Sequence, residues 1–515
     1  MPVKDRPIVD EDGGTRRPVS LVAVIFFVAV VFFVPGSQLV WELASGERLQ
    51  EFDIFFQRPS LSNIKLYEDV LAQSSRVADI VRPGVQWLQL YTLRQGNEKV
   101  VVGRDGFLFY RPGIAYSTGP GFRSKYALDA AQAKHPDPLP AILDFHSQLK
   151  ELNIDLVIVP VPTKAQIYPE KLNPSYDLSL GPPINVHQPE FFAELEKNGI
   201  PVIDLAGALW NAKSAGDAVY MPLDTHWTPR GMSIFAAALA DELKKRYEWL
   251  GEPEKKYAAS PLSVTNHGDL YDLLKLPASS PLFPEYTCTV EQVEDEESGE
   301  WALSDPDAPI VLLGDSFANV FSVGAMKWGD HAGLGQHLML HLGRPVHVIA
   351  VNGGAPTVTR RNLSRSGNVS RKKLVVWEFV TRELIDPASE WEPVQVTGVK
   401  QAVSQNPVKM EARVIAVSRP PRPGEDPYAH CVTFSRYKVL SVLSGEYEGD
   451  ELLAVQWVMR NFKLLPAAKF RPGDVHRMVL VPFRPDIHPD LQQSKETDDT
   501  GDLTHQPYWV VEMKE

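Results

Sequence analysis

Two short stretches hold residue types that could do acyl chemistry together. The first is Gly314-Asp315-Ser316-Phe317, which follows the apolar run Val311 to Leu313. That run reads as the end of a buried strand, Gly314 as a tight turn and Phe317 as the start of an apolar-periodic helix. Ser316 then stands where strand becomes helix, and unpaired amides at such a corner favour a negative oxygen. A plain strand-turn-helix corner with Ser316 as N-cap has the same appearance, and the G-x-S-x-G of a nucleophile elbow is absent. The second stretch is Asp224-Thr225-His226-Trp227. At a spacing of two, an extended backbone points Asp224 and His226 to one side. A carboxylate so placed can orient an imidazole, and the imidazole can take a proton from a serine hydroxyl. Read alone, the pair also fits a surface Asp beside a capping His, and Trp227 either walls a site against water or belongs to the core. Taken together, the two stretches nominate Ser316 as nucleophile, His226 as base and Asp224 as its orienter.

The surrounding pattern must bring these stretches together. Thr228 is a good N-cap and Pro229 a good first helical residue, so Asp224 and His226 sit on a loop just before a helix. Apolar runs at 153–161, 201–205, 311–313, 346–351 and 374–377 alternate with helical stretches, including a helical region from Phe317 to Leu342. Such alternation predicts an α/β region with a largely parallel sheet. Ser316 and Asn352-Gly353-Gly354 both fall just past strand C-termini, where such sheets bind ligands. Residues 42–98 read as helical, with Pro83-Gly84 as the stop. The basic residues Arg360, Arg361 and Arg365, with Arg371, Lys372 and Lys373 beyond them, fit either a track for an acidic polymer or a solvated helix face.

Composition bounds the rest. A chain of 515 residues suggests two or three domains, and a net charge of -13 gives no global signal for nucleic acid. Cys288 and Cys431 are too few for a disulfide framework or a Cys-based zinc site; they form one bridge or remain unpaired thiols. No metal-ligand spacing is present, and no cofactor is called for. Val19 to Val34 is almost wholly apolar and follows Arg16-Arg17. Sixteen residues of helix rise roughly 24 Å, and extension to Trp41 makes the length adequate for a hydrocarbon core of ~30 Å. An uncleaved anchor is favoured over a signal peptide cleaved near Gly36; either exports the rest of the chain, with the N-terminus in the cytoplasm. From about residue 391 the texture changes to five strands separated by turns, at 412–418, 437–443, 451–458, 475–482 and 508–513, which predicts a five-stranded barrel or a sandwich. The expected domains are therefore a tail and anchor (1–41), a catalytic domain (42–390) and a small all-β domain (391–515) that contributes glycan affinity rather than chemistry.

With both motifs located, the chain resembles the alginate O-acetyltransferases of the AlgJ/AlgX type, SGNH-hydrolase-like proteins of bacterial exopolysaccharide acetylation. The matching pieces are GRDGFLFY (103–110), VPVPTKAQIYPEKL (159–172), DTHW (224–227), HGDLYDLL (267–274), GDSF (314–317) and KLVVWEFVTREL (373–384). The resemblance implies an SGNH-hydrolase-like α/β domain with a largely parallel sheet, an N-terminal transmembrane helix and a C-terminal all-β domain. It also implies Ser316 as nucleophile, His226 as general base and Asp224 as orienter, in an order permuted relative to the wider SGNH group. Asn352-Gly353-Gly354 resembles the second block of that group, whose glycine amide helps form the oxyanion hole. With Trp227 these are the oxyanion or substrate candidates. The third block should offer an Asn after the next strand, where this sequence has Trp377-Glu378. The implied function is acetyl transfer to an exported polysaccharide such as alginate. The implied partner is a membrane-bound O-acyltransferase that brings acetyl across the bilayer, and the implied location is the inner membrane, with a periplasmic catalytic domain. A carbohydrate acetylesterase and a non-catalytic glycan-binding scaffold are the competing readings.

Overall fold

The computed structural model describes residues 16–45, 64, 75–130, 134–277, 282–353, 356–366, 369–385, 391–396 and 406–514, apart from 419, 422–427, 429, 462, 484–490, 492–493, 499, 501 and 503–504. Four apolar runs form the central sheet, in the spatial order Asp155–Val161, Leu374–Val380, Ile310–Gly314 and His347–Ala350, every neighbour parallel. In register, Val376 lies beside Val157 on one side and Leu312 on the other. Alternate strand residues feed two separate cores. Val157, Val159, Leu312 and Val376 pack with the helices Ala206–Ser214, Pro229–Arg246 and Leu334–Leu342. Leu156, Ile158, Val311, Leu313 and Trp377 pack with Pro138–Glu151, Gln188–Lys197 and Pro356–Arg365. Both faces are covered, which is why these strands read as continuous apolar runs rather than alternating ones.

Several expectations need correction. The run at 201–205 is not a strand; it adds one parallel bridge, Ile158 to Val202. Pro201 has no N–H to donate, and the next helix starts at Ala206, so the ladder has no room to grow. Residues 317–342 are not one helical region: a single turn, Ser316–Asn319, is followed by irregular backbone before the helix Leu334–Leu342. The helix Arg76–Leu93 runs through Pro83 instead of stopping there, since a proline forfeits one backbone bond and bends a helix without always ending it. Within 249–308 lies a long antiparallel hairpin, Tyr257–Asn266 with Tyr286–Asp295. Of the two readings left open for Cys288 and Cys431, unpaired thiols are the one present.

The helix Arg16–Ser45 contains a stretch, Ala23–Trp41, of mean hydropathy 2.3 with its apolar side chains exposed. One such N-terminal helix suggests a single-pass membrane anchor.

The C-terminal region is all-β. Its long strands are Val408–Val417, Cys431–Ser444, Glu451–Arg460, Val475–Pro482 and Pro507–Lys514. Neighbour follows neighbour from Glu451–Arg460 through Pro507–Lys514, Val475–Pro482, Val408–Val417 and Cys431–Ser444, and the last pairs back to the first. The ring is closed, so of the two architectures left open by the sequence the barrel is the one present. Val408, Met410, Val414, Tyr437, Leu452, Met478 and Leu480 fill its interior.

Candidate active site

The Ile310–Gly314 strand delivers Ser316 to the C-terminal edge of the sheet. Asp315 caps the short turn that comes next: its Oδ1 accepts from the Phe317 amide at 2.8 Å and its Oδ2 from the Val380 amide of the neighbouring strand at 3.0 Å. Gly314 is required by close approach, because a Cβ there would lie 2.7 Å from Ala318 Cβ and 2.9 Å from Glu378 Oε2. On the facing loop, Thr228 caps the helix Pro229–Arg246 and fixes the backbone just behind Asp224 and His226. The two loops meet. His226 Nε2 lies 2.8 Å from Ser316 Oγ, and His226 Nδ1 lies 2.6 Å from Asp224 Oδ1. All three side chains are buried, and they form one hydrogen-bonded chain from carboxylate through imidazole to hydroxyl.

Asp224 is held from every side. Besides the imidazole it accepts from the His226 amide at 3.0 Å, from the Asp269 amide at 3.0 Å and from Trp328 Nε1 at 2.9 Å. Gly268, at φ +108°, lets that loop pass, since a Cβ there would sit 2.7 Å from the Leu223 carbonyl oxygen. Lys164 Nζ clips the same loop from below, donating to the carbonyls of Leu108 (2.7 Å), Pro222 (2.7 Å) and Asp224 (2.9 Å). Burial favours neutral Lys164 and lowers it to about 7, against the pull of the Asp224 and Asp269 charges.

Burial would raise the Asp224 carboxyl, but the charge and hydrogen bonds of His226 outweigh it and hold Asp224 well below the usual carboxylate range. The same pairing acts in reverse on His226. Burial lowers it, while the Asp224 charge and hydrogen bond, with help from Asp269, bring it above the ordinary histidine value. Asp269 is pushed up to about 7 by burial and by the Asp224 charge; it accepts from the Thr225 amide at 2.7 Å and from the Thr225 hydroxyl. Asp224, His226 and Asp269 present ligand atoms within 4.8 Å of one another, a spacing a cation could use. Hydrogen bonds within the cluster already occupy those atoms.

Residues 100–381 match the family described as SGNH hydrolase-like domain, acetyltransferase AlgX. The chain belongs to this family. It is an SGNH-type O-acetyltransferase, and the matched span contains all three members of the hydrogen-bonded chain. Among relatives, the Pseudomonas fluorescens protein named "Probable alginate O-acetylase AlgJ" is 29% identical over 329 residues, covering 60% of this chain and 75% of the relative. The Pseudomonas aeruginosa protein of the same name is 26% identical over 393 residues, covering 72% and 90%. Among solved structures, the O-acetyltransferase domain of Pseudomonas putida AlgJ overlays with a TM-score of 0.43 at 24% identity, covering 56% of this chain and 93% of that one. Pseudomonas aeruginosa AlgX gives a TM-score of 0.43 at 18% identity, covering 78% and 92%.

The family's second block falls at Asn352-Gly353, with Gly354 outside the described residues. Asn352 is buried against the Ser316 turn, its Oδ1 accepting from Asn319 Nδ2 at 3.0 Å. At the third block, Glu378 takes the place of the expected Asn and is turned to Asp315, accepting its amide at 3.1 Å. Burial, then the Asp315 charge, push the Glu378 carboxyl well above its usual range. Trp227 is a core side chain rather than a substrate contact: it is fully buried, with ring centroids 5.0 Å from Phe235 and 5.2 Å from Phe317. The expected polymer track is also corrected. Arg360 is fully buried over the rings of Phe145 and Trp377, at 5.8 and 5.3 Å. Arg361 pairs with Glu392 and reaches Asp498 at 3.5 Å, and Arg365 pairs with Asp498 at 2.7 Å. These guanidinium groups are tolerated inside the protein because anions and carbonyls pair with them.

The residues that sequence reasoning passed over are Lys164, Asp269, Trp328, Arg382 and Tyr428. Arg382 lies over the rings of Tyr110 and Phe317 at 5.4 and 5.8 Å, its charge close to those of Glu383 and Asp315. Lys164, Asp269 and Arg382 fall inside the matching pieces, which was the available signal. Tyr428 lies in the Pro-rich sequence before Cys431 and had none.

Proposed function

We propose that this chain transfers acetyl groups to hydroxyls of an exported polysaccharide, with Ser316 as nucleophile, His226 as general base and acid, and Asp224 as the group that holds the imidazole. The observation that carries this reading is the unbroken path Asp224 Oδ1 to His226 Nδ1 (2.6 Å) and His226 Nε2 to Ser316 Oγ (2.8 Å). A serine hydroxyl is too weakly acidic to attack unaided. As Oγ attacks the acetyl carbonyl, its proton passes to His226 Nε2, and the imidazolium is stabilised by Asp224. Collapse of the tetrahedral intermediate returns that proton to the departing donor oxygen and leaves acetyl-Ser316. In the second half, a sugar hydroxyl attacks the ester, its proton goes to His226, and Ser316 Oγ leaves with it. The acceptor favoured by the relatives' names is alginate. The acetyl donor side is read as a membrane-bound O-acyltransferase partner, and the anchor helix, preceded by Arg16-Arg17, is read as placing the catalytic domain on the periplasmic side of the inner membrane.

The test is incubation with an activated acetyl ester, with and without a mannuronate oligosaccharide, followed by mass spectrometry of the sugar. Acetylated oligosaccharide is the expected product. Release of acetate alone, unchanged by the oligosaccharide, would make the protein an acetylesterase instead.

A further inference from the structure

Tyr428 lies in the barrel segment between Val408–Val417 and Cys431–Ser444, more than a hundred residues beyond Ser316 in the chain, yet its phenol lies beside the Ser316 side chain. Its ring packs on the second-block glycine: a Cβ on Gly353, at φ +60°, would lie 2.6 Å from Tyr428 Cε2. The Arg382 charge faces the same phenol. The barrel that carries Tyr428 is fastened to the helix Pro356–Arg365. Arg365 meets Asp498 at 2.7 Å, Arg361 meets the same carboxylate at 3.5 Å, and Asn362 Nδ2 donates to Glu496 Oε2 at 3.1 Å.

Two groups near Ser316 that could serve a developing oxyanion are engaged elsewhere. The turn that opens at Ser316 has four residues, and its Phe317 amide is spent on Asp315. The strand that should offer an Asn offers Glu378, which is engaged with Asp315. We propose that Tyr428 is a catalytic residue supplied by the barrel, its hydroxyl donating to Ser316 Oγ at rest and to the adjacent oxyanion once the tetrahedral intermediate forms. The inference rests on Ser316 being the nucleophile.

In the proposed resting arrangement Ser316 Oγ donates its proton to His226 and the Tyr428 O–H points to Ser316 Oγ. When Oγ bonds to the acetyl carbon, the carbonyl π pair moves onto oxygen, bonded to the same carbon as Oγ, and the phenolic O–H needs only a small swing to reach it. No proton leaves Tyr428 in either half-reaction. Burial dominates its environment and keeps the phenol protonated, so it stays a donor. A preorganised donor of this kind acts more strongly in the transition state than on bound substrate.

The test uses the full chain with Tyr428→Phe, which keeps the ring on Gly353 and removes only the hydroxyl. For an activated aryl acetate, kcat should fall by about 10²-fold, the usual loss for one oxyanion donor. KM should stay within about twofold, the signature of an interaction made only in the transition state. Affinity for an alkylboronic acid, which forms a tetrahedral adduct on serine, should fall in parallel with kcat, while the melting temperature holds. A folded Tyr428→Phe protein whose kcat is unchanged or raised would overturn the proposal. Ser316→Ala run beside it separates the two readings. If Ser316→Ala is inactive and Tyr428→Phe is fully active, only the role of Tyr428 fails. If Ser316→Ala is itself active, the triad reading fails.

Discussion

The parallel-sheet region and the barrel both reach Ser316, but by different physical means. In the sheet region the proposed reacting groups stand at the ends of buried elements. Ser316 follows a strand buried on both faces, and Asp224 and His226 precede a capped helix, so their positions are set by the packing of two apolar cores. In the barrel the ring of strands closes around its own core, and what reaches the site is a side chain from outside those strands, Tyr428. A polar latch, the pairs of Arg361 and Arg365 with Asp498, holds the barrel to the helix Pro356–Arg365. The sheet thus supplies groups that need fixed distances to one another, and the barrel supplies one that needs a docked domain. A barrel that serves only glycan affinity would have no reason to place a phenol beside Ser316.

The comparison breaks most visibly at the sheet side. His226→Ala should lower acetyl transfer by on the order of 10³-fold or more, and Asp224→Ala somewhat less, since members of a triad act as a unit. Single-turnover transfer from an activated ester checks this, and a His226→Ala protein within tenfold of wild type would remove the sheet side from the chemistry. The barrel side has a different signature. Asp498→Ala leaves two buried guanidinium groups short of an anion and should cost about 3 kcal/mol of stability. It should also lower kcat, by less than Tyr428→Phe does, as the docked loop loosens. Denaturant titration and steady-state kinetics on the same protein measure both. Loss of stability with full activity would make the latch purely structural.

Legibility in the sequence depended on how local each feature is. The Asp224/His226 pair, the serine turn and the continuous apolar strands are local patterns, and they stand where the sequence put them. The five long barrel strands alternate and are broken by turns, and they too were readable. The support of Asp224 was not, because Trp328 lies 104 residues from it and the Lys164 clip on its carbonyl spans 60. The arginines of Pro356–Arg365 resembled a solvated or polymer-facing run because nothing nearby in sequence neutralises them. Asp498, 133 residues beyond Arg365, and the rings of Phe145 and Trp377 are what bury them. Tyr428 was invisible for the same reason, as its meaning comes from Gly353 and Ser316.

A smaller effect sharpens the electrostatics of the site. His226 must be neutral to accept the serine proton. Burial opposes its charged form, but Asp224, with Asp269 behind it, raises its pKa, while the nearby Arg382 lowers it. A raised pKa keeps the imidazole charged to higher pH, so the acid limb of kcat/KM should lie above the ordinary histidine value of about 6.5. Asp269→Asn removes one negative neighbour and should move that limb down, with a modest change in the plateau rate. A limb that stays in place in this variant would mean that Asp269 does not act on His226.

The central claim is that Ser316 carries the acetyl group. Brief reaction of the full chain with an activated acetyl ester, acid quench and peptide mass spectrometry test it directly. The account predicts acetyl on the peptide containing Ser316, formed in the wild-type protein and missing from Ser316→Ala. Acetyl located on another residue, or product formed at the wild-type rate by Ser316→Ala, would contradict it.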